Sequence, residues 1–149
     1  MRKFKFRLQA LLDLAVKLEE QQLNKTRVAE RQLRKEQETL ESLMEDKQTA
    51  LYSQQENMLK GCSVQELIEM QFYLDKLARQ ISRQQTQVAE AEKAYQDEMA
   101  MLQEKMRYRK MLENLRAKAW EEHRQKQLKE EQIILDELAL VRYWYQEHS

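Results

Sequence analysis

The sequence predicts an all-α protein: two long helices forming an antiparallel coiled-coil hairpin, with the second helix longer than the first. Three observations carry this. The 149 residues include one glycine and no proline, so the helical hydrogen-bond ladder has a single place where it breaks cheaply. Charged residues make up 35% of the chain, which leaves too little apolar surface for a sizeable globular core and confines it to stripes. Within the second half, apolar residues recur every seven positions, the repeat that keeps a supercoiled seam facing its partner. One coiled-coil hairpin is expected to span residues 1–149.

The first helix is expected over about residues 4–60. Its opening, Met1-Arg2-Lys3-Phe4-Lys5-Phe6-Arg7, is basic and reads as the start of a long packed helix, since it lacks the Ser content and cleavage site of a targeting segment. A stripe then runs Leu8, Leu12, Ala15, Glu19, Gln22, Thr26, Ala29, Leu33, Glu36, Leu40, Leu43, Lys47, Ala50, polar between 19 and 26. The turn falls at Gly61-Cys62. Lys60 places a cation in the last helical turn, and Gly61 supplies the positive φ that ends it.

Ser63 and Glu66 stand in capping-box spacing and start the second helix, expected over 63–145. Its seam is Leu67, Leu74, Ile81, Val88, Tyr95 and Leu102, with companions Met70, Leu77, Gln84, Ala91, Glu98, Lys105 and Leu112. A fold about residues 61–62 sets residue i opposite roughly 123 − i. Leu8 and Leu12 then face Leu115 and Leu112, and the polar 19–26 stretch faces Glu98 and Lys105. That middle is expected to be the loosest part of the seam. The longer second helix leaves an overhang from near Trp120 that carries Ile133, Ile134, Leu135, Leu138, Leu140, Val141, Tyr143, Trp144 and Tyr145, an apolar cluster suited to a partner. Just past the cap, Phe72 and Tyr73 point about 100° apart, so at least one large aromatic is exposed there.

Several function classes are disfavoured. Basic and acidic residues number 26 each and are interspersed, which argues against a nucleic-acid partner. One glycine cannot build a phosphate-cradling loop, and His123, His148 and Cys62 have no ligand spacing, so neither a cofactor, a metal nor a catalytic residue is expected. The lone Cys62 suits a reducing compartment. No stretch is long and apolar enough to span a membrane. On these grounds the chain is a non-enzymatic interaction protein, a monomer when free. A tethering coiled coil that dimerises in parallel and a holdase chaperone are competing readings.

Two stretches carry a resemblance. Phe4-Lys5-Phe6-Arg7-Leu8-Gln9-Ala10-Leu11-Leu12-Asp13-Leu14 resembles the F-x-F-x-L-x-x-L-L-x-L opening of the FliJ family of the bacterial flagellar type III export apparatus. Ser63-Val64-Gln65-Glu66-Leu67, followed by Gln71-Phe72-Tyr73 and Leu77, is similar to the start of that family's second helix. The resemblance implies a stalk that stimulates the FliI export ATPase hexamer, links it to the export gate protein FlhA and hands on export chaperones, in the bacterial cytoplasm at the membrane of the flagellar base. It implies ATPase-ring contacts at Phe4, Phe6, Arg7, Leu8, Leu138, Val141, Tyr143 and Trp144, and gate contacts at Phe72, Tyr73 and Leu77. Where the family's gate patch can carry a His, this chain has Gln84. Stalk proteins of injection-type secretion systems share the build.

The turn separates the hairpin from the parallel dimer. Replacing Gly61 and Ser63 together by Ala is expected to favour one continuous helix and convert monomer to dimer, measured by sedimentation equilibrium; a parallel dimer would show no change of mass.

Overall fold

The computed structural model describes residues 2–148. Two helices account for nearly all of them: α1, Gln9–Lys60, and α2, Val64–His148. The chain divides into two compact units, Met1–Glu20 with Glu104–Ser149, and Gln21–Gln103. Both helices contribute to each.

In the second unit the helices run antiparallel, because partners on α2 fall in number as those on α1 rise. Gln22 meets Glu98, Glu36 meets Gln84, and Asn57 meets Met70. Leu74, Leu77, Ile81 and Leu102 are buried in this seam. Gly61 reverses the chain at φ 86°, and a Cβ there would meet nothing within 4 Å. The cost of a side chain at Gly61 is therefore conformational, about 1 kcal/mol, rather than steric. Ser63 caps α2: its Oγ accepts the Glu66 amide at 3.2 Å, and its carbonyl accepts the Leu67 amide at 3.2 Å.

The middle of the seam is polar, as expected, yet it is well enclosed. Gln22 and Thr26 are each only 4% exposed. The Gln22 Nε2 donates to the Glu98 carbonyl at 3.1 Å and to its carboxylate, and the Thr26 hydroxyl lies within bonding range of the Gln22 and Glu98 carbonyls at 2.9 and 3.3 Å. Gln84 repeats the arrangement on Glu36, donating to its carbonyl at 2.9 Å and to its carboxylate. A polar group bonded in this way fills the seam instead of loosening it. Every position of both predicted stripes is buried or partly buried.

In the first unit, Leu12, Ala15 and Leu112 form a small core against which Phe6 and Leu8 pack. Arg109 crosses to Glu19 and also binds Glu113 at 2.8 Å. These bonds, the one to Glu19 first, raise the Arg109 pKa above its ordinary value. Lys105, the partner foreseen for this stretch, is thus replaced at Glu19 by the arginine one turn on.

Two boundaries differ from expectation. Residues 4–8 are not helical: α1 begins at Gln9, whose amide bonds the Phe6 carbonyl at 3.1 Å. Exposure alternates through this stretch, with Phe4, Phe6 and Leu8 turned in and Arg2, Lys3, Lys5 and Arg7 exposed or turned out. In an extended chain residues two apart share a face, whereas a helix would point Phe4 and Phe6 nearly opposite ways. Four cations in the first turn of a helix would also oppose its dipole.

The second difference follows from the first. An extended residue advances about 3.3 Å against about 1.5 Å in a helix, so residues 2–6, ahead of the turn at Arg7 and Leu8, cover about eleven residues of α2. Coverage therefore reaches Gln127, whose Nε2 donates to the Arg2 carbonyl at 3.0 Å, and the overhang begins at Leu128 instead of near Trp120. Leu115 is accordingly not a partner of Leu8; it is 41% exposed.

Leu112 is 2% exposed, so Leu112→Ala is expected to lower the unfolding free energy by about 2–3 kcal/mol in a urea titration. Leu128→Ala, at a residue without cover, is expected to stay within about 0.5 kcal/mol of the parent.

Candidate functional site

Paired helices offer surfaces rather than a chamber, and two stand out, one in each unit. The larger is the C-terminal run of α2. Residues 128–148 are exposed without interruption, and the nine apolar residues from Ile133 to Tyr145 named above are each 53–68% exposed. Their directions matter as much as their number. At about 100° per residue, Ile133, Ile134, Leu135 and Tyr143 point to four different sides, and the nine leave no gap around the axis wider than about 80°. A helix that is apolar all round is ordinarily enclosed on all sides.

Local contacts stiffen this run. Trp144 stacks on His148 with ring centroids 4.5 Å apart and meets Tyr145 edge-on at 5.4 Å. The Tyr143 hydroxyl donates to Glu147 at 2.8 Å, and Gln132 bonds Asp136 at 2.9 Å. Large side chains are thereby partly ordered before any partner arrives, which reduces the entropy lost on binding.

Of the other ring-contact residues named from the sequence, Phe4, Phe6 and Leu8 lie against the protein itself and Arg7 is exposed. Phe4 is seated on α2, its ring edge-on to Trp120 at 5.2 Å and tilted against His123 at 5.5 Å. The Arg116 guanidinium stands over the same ring at 5.7 Å. Arg116, His123 and Gln127 were not anticipated in this role. The signal that could have found them is the period of two in Phe4-Lys5-Phe6-Arg7-Leu8, a strand spacing at the head of a helix.

The second surface lies beside the turn. Phe72 is 67% and Tyr73 50% exposed, with Ile68 one turn before Phe72 also exposed. Leu77 is 3% exposed and sits in the seam, where it packs the helix that presents these aromatics instead of facing outward itself. Gln84 is likewise committed inward, to Glu36. Cys62 is a free, partly exposed thiol in the turn.

Among the described residues no cluster of three His, Cys, Asp or Glu is placed to hold a metal ion, and no helix is long and apolar enough to cross a membrane. Glu121 is bound by Arg124 at 3.0 Å and by Gln125 at 3.3 Å, and these bonds, the Arg124 one first, hold its carboxyl below the ordinary value.

Residues 4–148 match the family model described as Flagellar FliJ protein. The chain belongs to the FliJ family. Membership makes it a component of flagellar type III protein export, and the match takes in both surfaces together with the N-terminal segment from Phe4. Neither the curated proteins nor the solved structures gave a match.

Proposed function

We propose that this FliJ-family chain is a non-enzymatic stalk that binds and stimulates the FliI export ATPase ring and links it to the export gate protein FlhA. The observation that carries the reading is the uncovered run 128–148. A flat partner would bury one stripe of it and leave the other sides wet. A ring with a central pore encloses a helix from every side, and so matches apolar residues distributed around the whole axis.

In this reading Leu138, Val141, Tyr143 and Trp144 enter the ring, with Phe4, Phe6, Arg7 and Leu8 contributing at its mouth. The gate contact is made by Phe72 and Tyr73, two large aromatics whose exposure suits them as anchors. Leu77 supports that contact from inside the seam. The protein then works in the bacterial cytoplasm, peripheral to the membrane at the flagellar base, and export chaperones delivering substrate meet it there. The antiparallel intrachain pairing supports this reading over a parallel tethering dimer.

Titrating the cognate export ATPase with this protein is expected to raise its activity and promote ring formation, saturating at substoichiometric ratios near one chain per ring. Deleting residues 136–149 is expected to abolish most of that stimulation while the remaining helices keep their circular dichroism. Full stimulation by the deleted chain would remove the C-terminal run from the contact.

The gate surface has a separate test. Tyr73→Ala is expected to weaken FlhA binding about tenfold or more without changing thermal stability, the size of loss expected of an interfacial anchor. Unchanged binding would assign the gate contact elsewhere. Leu77→Ala serves as the comparison, because it is expected to act through folding stability instead.

A further inference from the structure

We infer that the face of α2 formed by Arg116, Trp120 and His123 is a binding site for an extended aromatic segment, filled in this chain by Phe4 within its own residues 2–5, and that this segment docks and undocks while Phe6 and Leu8 stay on the core and the two helices stay paired.

The site is built before the segment reaches it. Arg116 is anchored from α1, its Nε donating to the Gln9 Oε1 at 3.0 Å, and Gln9 is itself fixed by donating to Asp13 at 3.0 Å. That holds the guanidinium over the place the Phe4 ring occupies. Trp120 and His123, three residues apart on one face, lie with ring centroids 6.3 Å apart and supply the other two sides. An aromatic ring thus finds an aromatic edge contact and a cation together, a combination suited to Phe.

The occupant is held by side chains and hardly by its backbone. Residues 2–6 lie outside any helix, and the bond from Gln127 to the Arg2 carbonyl is their one hydrogen bond to α2. Lys3, Lys5 and Arg7 face solvent and pair with no carboxylate among the described residues, and the nearby Glu121 is already engaged by Arg124 and Gln125. A segment with so few backbone ties opens at far less cost than the helices beneath it. Alternation selects the ligand: apolar side chains at every second position face in, and what lies between them is free to be charged. Undocking bares the part of Trp120 that the Phe4 ring covers; the residue is 49% exposed with the segment in place, and residues 121–127 beyond it are polar.

The test uses the full-length chain carrying Trp144→Phe, which leaves Trp120 as the sole tryptophan. Adding Phe4→Ala is expected to raise acrylamide quenching of Trp120 about twofold while helicity and the thermal midpoint stay unchanged, as for a locally opening segment. A synthetic peptide of residues 1–8, added to that Phe4→Ala chain, is expected to restore the protected signal, and the same peptide with Phe4→Ala is expected not to. Quenching unaffected by Phe4→Ala would mean that the segment does not cover Trp120. Loss of helicity with Phe4→Ala would make the segment part of the fold instead of a docked ligand. Failure of the parent peptide to restore protection would show that the face has no affinity for such a segment, and each of these results would overturn the inference.

Discussion

A narrow apolar seam repeats every seven residues and by itself tolerates slippage by a heptad, so the hydrogen bonds that cross it decide which residues meet. The Glu98 and Glu36 carboxylates, which accept from the Gln22 and Gln84 amides, meet them only in the register observed. A slip of one heptad would set Gln22 near Ala91 or Lys105, where a backbone carbonyl is still in reach but the carboxylate that also accepts from the buried amide is lost. An unmade bond of this kind costs about 1–3 kcal/mol. Glu19 with Arg109 exerts the same selection in the other unit. The apolar positions supply the attraction, and the polar ones choose among the alignments that the attraction alone would allow.

Fixed pairing has a consequence at the chain ends. Gly61 and the Ser63 cap set where the chain reverses, and from there the longer α2 must outrun α1. The extended residues 2–6 recover part of the difference because they advance about twice as far per residue as a helix. Beyond Gln127 nothing in the described chain covers α2. A protein with so small a core thus leaves much of its large apolar surface exposed on its own helices.

Much of this was legible in the sequence. Composition and a single glycine suffice for the hairpin, and the two stripes name positions that are all buried or partly buried, because a seven-residue repeat in a helix has one geometric meaning, whereas Arg109, which crosses to Glu19, was not among them. The N-terminus was misread because its basic, amphipathic run satisfies a helical reading at low resolution. The two-residue spacing of Phe4, Phe6 and Leu8 is strand-like, and it also moved the start of the overhang. Leu77 illustrates a different gap. A heptad position identifies it as core, a family motif suggests contact, and only coordinates show that it is buried while Tyr73 is not. For the seat of Phe4 the two-residue period pointed to an extended segment laid along α2, while the side chains that hold the ring, Arg116 and His123, stand more than a hundred residues away and are identified by the structure.

The central claim is that pairing is within one chain, antiparallel, and in the register set by the polar seam. Gln9 and Arg116 meet across the helix pair away from the polar seam, so a chain with Gln9→Cys and Arg116→Cys, and with Cys62→Ser to remove the native thiol, tests it directly and leaves the register-setting bonds in place. Treatment with a short bifunctional thiol cross-linker, followed by mass measurement, should give an internally linked product of single-chain mass that melts at a higher temperature than the untreated protein. A covalent product of two chains, with Gln9→Cys positions joined to each other, would mean parallel association and would contradict the account.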